Sequence, residues 1–282
     1  MSFDFLLHQV TEHTVMGNHK DGRSNAGAVI FDDFIVAIDC TMWPQTARLF
    51  RMALEEKFRK PVKFLFVTHS HGDHIMGLSA FKDITIFSSN QFPHSLQKRM
   101  QTQWQPEQMQ EMKKSGMTPP EWVEEVEFIF PTVLFHEEME ILNNEVQITF
   151  HHSGGHTDDS SWAYFPDEKV LFAADLIFSE RFPFAGDETC DPEIWMNVLR
   201  NWLTMPVEKV IPGHGPVMGM EIIERTLKGF EQLKQNTLNA ISKNEDAEKI
   251  AIPAPFEVPD DSHWMVQKSL NQWYKYYKDM NA

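Results

Sequence analysis

The sequence predicts an α/β fold in which strands and helices form layers. From Asn25 to about Gly215, short β-type runs alternate with amphipathic segments, and this alternation is typical of layered α/β proteins. Several of the strand-like runs are continuously apolar, as expected of strands that are buried on both faces. A histidine or aspartate ends or follows four of these runs, and α/β sheets gather their binding residues at that edge.

The elements before the first of these histidines follow from local patterns. The run from Asn25 to Cys40 holds two apolar stretches split by Asp32 and Asp33, which predicts a hairpin. Residues 46–60 carry apolar side chains at helical spacing and end before a proline, which predicts a helix. The run "VKFLFVTH" then predicts a buried strand, and "AFKDITIFSSN" predicts a short one.

The rest of the chain predicts an inserted helical segment, a second set of strands and a helical end. Residues 93–122 are rich in Gln, Met and Lys and indicate one or two helices. Strand-like runs follow as "EEVEFIF", "EVQITFHH", "SWAYFP" and "KVLFAAD", then the helix "PEIWMNVLRNWL" and the strand "EKVIPGHG". We predict one domain over 1–282, with a helical insert at about 93–122 and a helical C-terminal extension at about 220–282.

Composition disfavours several classes of partner. The net charge of −16, with histidine neutral, opposes binding to nucleic acid and to anionic lipid. Two cysteines, Cys40 and Cys190, are too few for a disulfide framework, and we assign them no role. The first residues lack the pattern of a secretory signal, and no apolar run approaches the roughly 20 residues of a spanning helix. We expect a cytoplasmic protein that acts on a small molecule, without nucleic acid or membrane partners.

The stretch "THSHGDH", residues 68–74, indicates a metal site. His69 and His71 are two residues apart just after a strand, and Asp73 and His74 follow in a turn that Gly72 permits. Imidazole and carboxylate are the groups that Zn²⁺ and neighbouring metals select. A polar loop with chance histidines is the alternative interpretation, but histidine is sparse elsewhere in the chain.

Three further motifs place ligand-type residues at strand ends. His156 follows one strand in "SGGHTDDSS", Asp175 ends the apolar run "VLFAAD", and His214 follows another strand in "VIPGHGP". Each motif is weak alone, because such a histidine is more often a satisfied loop residue and such an aspartate is often a cap. Together with the first motif, they predict one shared metal site at the carboxyl edge of the strands.

The motifs "THSHGDH", "GGHTDDS", "FAADLIF" and "PGHGP" resemble those of the metallo-β-lactamase-fold hydrolases over most of residues 25–216. The resemblance implies a four-layer αββα sandwich of two facing mixed sheets. It also implies two divalent metal ions per chain, with zinc as the first expectation and iron or manganese as alternatives. By position, His69, His71 and His156 would hold the first metal, Asp73, His74 and His214 the second, and Asp175 would bridge them.

The same resemblance implies a hydrolase. A hydroxide between the metals would attack an ester, lactone, thioester or amide carbonyl, and Asp73 would orient it or shuttle its proton. Common β-lactamases carry a cysteine in the region of Asp175, which disfavours antibiotic hydrolysis here, and glyoxalase II enzymes have a different last motif. Two alternatives stay open: a mononuclear iron sulfur dioxygenase on the same fold, and a non-catalytic metal-binding relative.

Two segments are candidates for substrate contacts. In and just before "SERFPFAGD", Phe178, Phe182 and Phe184 would line an apolar pocket and Arg181 would meet a carboxylate; packing of the loop on the sheet is the alternative. The insert around Trp104 is interpreted either as a lid whose methionines cover an apolar substrate, or as a helical pair that covers a sheet edge or forms a homodimer.

Overall fold

The computed structural model describes residues 5–19, 24–116, 118–144, 146–259 and 262–280. Within these ranges the strands form a seven-stranded and a five-stranded sheet. The first sheet contains β1 (Phe5–Gln9), β2 (Thr14–His19), β3 (Ala26–Ile30), β4 (Ile35–Ile38), β5 (Val62–Phe66), β6 (Thr85–Ser89) and β7 (Val133–Phe135). The second contains β8 (Glu138–Asn143), β9 (Val146–His152), β10 (Ser161–Phe165), β11 (Val170–Phe178) and β12 (Lys209–His214).

Both sheets are mixed, as predicted. In the first sheet the strands lie in sequence order; β1 to β4 pair antiparallel, and β4 to β7 pair parallel. In the second sheet β8 to β11 pair antiparallel, and β12 joins β11 in parallel. The predicted hairpin is confirmed as the β3–β4 pair, in which Gly27 lies opposite Ile38.

The helices lie where the sequence predicts them, except that a short helix occupies the expected turn at Gly72 and the insert holds three helices instead of one or two. They are α1 (Pro44–Phe58), α2 (Gly72–Ile75), α3 (Phe92–Thr102), α4 (Pro106–Lys114), α5 (Pro120–Glu124), α6 (Pro192–Trp202), α7 (Glu221–Ser242) and α8 (His263–Met280). Helices α3 to α5 occupy the predicted insert, and α7 and α8 occupy the predicted extension. The ends of the predicted domain, 1–4 and 281–282, lie outside the described residues, and the single-domain organisation stays a prediction.

The layers are helix, sheet, sheet and helix. Rings from both sheets fill the space between them: Phe150 of β9 lies 4.8 Å from Phe66 of β5 and 4.8 Å from Phe87 of β6, measured between ring centroids. On the outer face of the first sheet, buried side chains of α1 and α3 form a second cluster. On the outer face of the second sheet, α6, α7 and α8 form a third. The αββα sandwich is therefore confirmed.

Helix α6 shows how a local signal fixes a helix behind the strand that carries Asp175. The Asp191 side chain accepts hydrogen bonds from the backbone N–H groups of Glu193 and Ile194, and a proline occupies the first turn. The buried Trp195 indole then donates to the backbone carbonyl of Leu176 at 2.9 Å. This bond ties the start of α6 to the middle of β11.

One predicted strand is wrong. The run "EEVEFIF" ends α5 and then continues as irregular chain, and the strand of this region is β7, a few residues later. The alternating apolar side chains of the run pack on the insert instead of entering a sheet. Phe128 stacks on Trp104 with ring centroids 4.8 Å apart and planes 13° apart, and Val126 packs in the same cluster.

Among the described residues, no helix combines the length and the hydrophobicity that crossing a bilayer requires. The cytoplasmic location predicted from the sequence stays a prediction.

Candidate metal centre

The seven predicted ligands come from five places in the fold and meet at one edge of the two sheets. His69 and His71 lie in the loop after β5, and Asp73 and His74 lie on α2. His156 lies in the loop after β9, Asp175 lies within β11, and His214 is the last residue of β12.

A bulge directs Asp175 into the site. The pairing register between β11 and β12 shifts on both sides of Ala174, whose backbone takes the left-handed conformation with φ of 47°. Such irregularities re-aim a side chain next to an active site. Gly213 of β12 faces the bulge, and a Cβ atom there would lie 1.9 Å from Asp175 Oδ1. The backbone of both strands is therefore shaped around this carboxylate.

Four ligand atoms converge in a first group. His71 Nδ1 lies 3.1 Å from His69 Nε2 and 2.9 Å from His156 Nε2. Asp175 Oδ2 lies 3.4 Å from His156 Nε2 and 3.7 Å from His69 Nε2. All four atoms lie within 4.8 Å of one another, the spacing at which one cation can contact them all.

A second group lies on the other oxygen of the same carboxylate. Asp175 Oδ1 lies 3.0 Å from His74 Nε2 and 3.4 Å from His214 Nε2. Asp73 Oδ2 lies 3.4 Å from His214 Nε2 and 3.9 Å from His74 Nε2. The two oxygens of Asp175 thus face two different sets of ligand atoms.

Two atoms of the second group test whether a cation fits there. His74 Nε2 and Asp175 Oδ1 are buried, and neither has a hydrogen-bond partner in the described part of the chain, although they lie 3.0 Å apart. When His74 is neutral with its proton on Nδ1 toward Asp39, Nε2 and Oδ1 are two acceptors that face each other, and an unsatisfied buried polar atom costs about 1–3 kcal/mol. A divalent cation between them would satisfy both atoms, and the imidazole–carboxylate set suits zinc, iron or manganese.

A buried aspartate holds the imidazole of His74. Asp39 Oδ2 lies 2.8 Å from His74 Nδ1 and accepts from the Thr68 hydroxyl at 2.8 Å, while Oδ1 accepts from the Thr68 backbone N–H at 2.9 Å. The Asp39 backbone is left-handed, with φ of 58°. A carboxylate on the second nitrogen of a ligating histidine fixes its orientation and raises its basicity. Such a carboxylate is expected of a metal site, but sequence reasoning does not identify Asp39.

The other imidazoles are held differently. His71 Nε2 lies 3.2 Å from Asp187 Oδ2, and His156 Nδ1 lies 2.8 Å from the carbonyl oxygen of Phe184. His214 Nδ1 is buried without a hydrogen-bond partner among the described residues, but its ring stacks on Phe178 at 5.0 Å with planes 5° apart. Asp187 is a second supporting residue that sequence reasoning missed.

The family follows from comparison with known proteins. The family model described as "Metallo-beta-lactamase superfamily" matches residues 19–214, more than two thirds of the chain. The chain belongs to the metallo-β-lactamase superfamily. Its α/β sandwich and the position of its ligand cluster agree with that membership.

Similar members of the superfamily differ in what they act on. A type 2 metallo-β-lactamase from Bacillus sp. is 26% identical over 80% of this chain and 81% of its own. A linear primary-alkylsulfatase from Pseudomonas sp. is 24% identical over 69% of this chain, which spans only 43% of that protein. The structure of the inverting sec-alkylsulfatase Pisa1 from Pseudomonas sp. aligns with 96% of this chain and 50% of its own, with 18% identity and a TM-score of 0.72.

The two ligand groups differ in charge when no cation is bound. Burial lowers the pKa of His156 to about 3 and lowers that of His69 well below its usual value, so both imidazoles are neutral. His74 behaves in the opposite way. Burial alone would lower its pKa, but the carboxylates of Asp175, Asp39 and Asp73 outweigh burial and raise it well above the usual value.

We therefore expect metal binding to release a proton from His74. The raised pKa favours the protonated form of this imidazole, and a cation has to displace that proton before Nε2 can bind it. Affinity should rise by about tenfold per pH unit for one displaced proton, as long as the pH stays below that pKa. Competition titrations with a chromophoric chelator at pH 6.5 and 7.5, corrected for chelator protonation, measure this; equal affinities at the two pH values would contradict it.

The predicted substrate residues divide into two pairs. Phe178 and Phe182 are buried in the core of the second sheet, Phe178 behind His214 and Phe182 against Phe256 at 5.2 Å. Phe184 is half-buried beside the first group, 5.9 Å from the ring of His71. Arg181 is half-buried, and its Nε lacks a hydrogen-bond partner within the described ranges. Their roles toward a substrate stay predictions.

Proposed function

We propose that this protein is a dinuclear metal-dependent hydrolase that acts on an ester, lactone, thioester or amide of a small molecule. The position of Asp175 carries the proposal, because its two buried oxygens face two separate sets of ligand atoms. That arrangement supports two cations on one carboxylate. Zinc is the first expectation for the metal, and iron or manganese are alternatives for such ligands.

Bound divalent cations would supply Lewis acidity, which lowers the pKa of a water molecule and polarises a carbonyl oxygen. The chain supplies position and proton transfer. Of the two carboxylates among the ligands, Asp175 is 5% exposed at its side chain and Asp73 is 24% exposed. We assign to the Asp73 carboxylate the role of orienting the attacking water and accepting its proton, because it is the one that faces the open side.

Phe184 and Arg181 are the proposed substrate contacts. The Phe184 ring lies 5.9 Å from His71 and 6.1 Å from His156, so an apolar group of a substrate held at the first group would contact it. The unpaired Arg181 Nε could bind a carboxylate or another anionic group. Phe178 and Phe182, which are buried in the core, would support the segment that carries Arg181 and Phe184.

The alternatives make different demands on the same residues. A mononuclear iron dioxygenase needs the first group alone, whereas in this chain Asp73, His74 and His214 also stand together. Loss of ligands would mark a non-catalytic relative, and all seven are present. A sulfate ester is a second candidate substrate, supported by the likeness to a primary alkylsulfatase and by the 96% coverage with a sec-alkylsulfatase structure.

A substrate panel with metal removal tests the proposal. The protein, loaded with zinc, iron or manganese, is assayed on carboxylic esters, lactones, thioesters, amides and alkyl sulfates. We expect hydrolysis of one carbonyl class, its loss after dialysis against a chelator, and its return when the metal is restored. Selective release of sulfate would favour the second candidate, and hydrolysis that survives full metal removal would contradict a metal-dependent mechanism.

A further inference from the structure

Arg99, in helix α3 of the insert, is a charged side chain buried beside the metal centre. It is only 5% exposed. Burying a guanidinium is costly unless it is paired and hydrogen-bonded, so its partners show what the burial achieves. Nη2 donates to Asp187 Oδ2 at 2.8 Å, Nε donates to the Ser70 hydroxyl at 2.8 Å, and Nη1 donates to Gln103 Oε1 at 3.2 Å.

Two of these partners flank one predicted ligand. Ser70 precedes His71 in the chain, and Asp187 Oδ2 lies 3.2 Å from His71 Nε2. Thr189 completes the arrangement, because its backbone N–H and hydroxyl donate to Asp187 Oδ1 at 2.9 and 2.6 Å. The Arg99 guanidinium therefore holds both Ser70, which precedes His71, and the Asp187 carboxylate that contacts His71 Nε2.

His71 is the imidazole of the first group that most needs this support. Its side chain is 14% exposed, whereas His69 is 1% and His156 is 0% exposed. Its two neighbours are enclosed by packing, and each also has a polar contact at Nδ1, so the more exposed His71 relies most on Asp187 to keep its own Nδ1 toward the other nitrogens.

The same helix also contacts the loop that carries His156. Ser95 and Gln91, one turn and two turns before Arg99, donate to the two oxygens of Asp158 at 2.8 and 3.0 Å. Asp158 is two residues after His156. Helix α3 is thus bonded to both loops that supply histidines to the first group.

We propose that Arg99 is a positioning residue of the metal centre, through which the helical insert orients His71 by way of Asp187 and Ser70. The insert would then contribute directly to the first metal site. This inference rests on the proposed function, because it requires that the first group binds a metal.

The test measures metal affinity in Arg99→Met, which keeps much of the apolar stem and removes the guanidinium. The metal is cobalt(II), used both in competition titrations and for its visible absorption spectrum. We expect a first-site affinity about 10–100-fold lower than in the wild type, the range for loss of a partner that supports a ligand, and an altered spectrum. Arg99→Lys should restore part of the affinity, because an ammonium can reach Asp187 or Ser70 but not both.

Lys98→Met is the matched control. Lys98 lies on the same helix, is 56% exposed and pairs with Glu188, so its loss removes a charge without touching His71 or its partners. It should bind cobalt within about twofold of the wild type, since an exposed pair contributes little. Asp187→Asn provides a second route if Arg99→Met fails to fold. It should also weaken binding, and Arg99→Met should cost less in the Asp187→Asn background than in the wild type, because only the route through Ser70 remains there.

The outcomes separate the two proposals. If the wild-type protein binds no cobalt, the proposed metal site itself is contradicted. Wild-type binding with equal affinity and spectrum in Arg99→Met would overturn the positioning role and leave the metal site intact. Fully additive losses in the double variant would overturn the route through Asp187, because they would mean that Arg99 does not act through that carboxylate.

Discussion

Asp175→Ala is expected to abolish hydrolysis and to weaken both metal sites at once. The two oxygens of this one carboxylate serve the two ligand groups, and they lie 3.0–3.7 Å from the nitrogens of four imidazoles. Losing a bound metal removes several kcal/mol of transition-state stabilisation, so kcat/KM should fall by at least about 10³-fold. Steady-state kinetics and metal content measured on the same preparation check this.

Asp167→Ala is the matched control for that experiment. Asp167 lies exposed in the turn between β10 and β11. It precedes the same strand as Asp175 but belongs to neither ligand group. It should leave activity and metal content unchanged. An Asp175→Ala protein that keeps two metals per chain would contradict the bridging position of the carboxylate, whatever its activity.

Gly213→Ala is expected to be the most damaging single-methyl addition near the site. Its Cβ would lie 1.9 Å from Asp175 Oδ1, 2.7 Å from the carbonyl carbon of Ala174 and 2.8 Å from the backbone nitrogen of Asp175. Two of these atoms are backbone and cannot rotate away, so β11 or β12 has to move. We expect a loss of about 3 kcal/mol in the free energy of unfolding, as for severe overpacking.

The unfolding measurement is best made on the metal-free protein, because bound metal adds its own stabilisation. Denaturant unfolding with matched m-values gives the difference directly. Gly219→Ala is the control, since its Cβ would meet only the carboxylate end of the exposed Glu221, a flexible side chain that can shift at the cost of its hydrogen bond from the Gly219 N–H. Equal stabilities for the Gly213 and Gly219 variants would show that the bulge around Asp175 tolerates an added methyl group.

The parts of the site that the sequence predicted share a local signal. The ligands of α2 and its preceding loop lie within six residues of one another, and the remaining three each end or follow an apolar strand run. The carboxyl ends of strands that run in the same direction lie at one edge of a sheet, so ligand-type residues at several strand ends predict a shared site. The insert was predicted from its content of Gln, Met and Lys, and the end of the chain was predicted to be helical.

The supporting residues could not be predicted in this way. Asp187 meets His71 across 116 residues and Arg99 meets Asp187 across 88, and such contacts depend on how the loops close. Asp39 shows a different difficulty. It follows an apolar strand as a ligand would, but its carboxylate contacts His74 Nδ1 instead of joining either group of ligand atoms. A strand-end signal alone does not separate these two roles.

The mistaken strand over residues 124–130 has a related cause. Its alternation of apolar and polar residues is the pattern of a half-buried strand. In the structure the apolar side chains of this run pack against the helical insert, where Phe128 stacks on Trp104. Periodicity shows that one face of a segment is buried, and only the tertiary fold decides which neighbour covers it.

The most direct test of the dinuclear centre is anomalous diffraction from crystals of the protein grown with zinc, with data collected on both sides of the zinc absorption edge. We expect two anomalous peaks, one among His69, His71 and His156 and one among Asp73, His74 and His214, with Asp175 contacting both. A single peak in the first group alone would contradict the dinuclear site, and no peak at either group would contradict the metal centre as a whole.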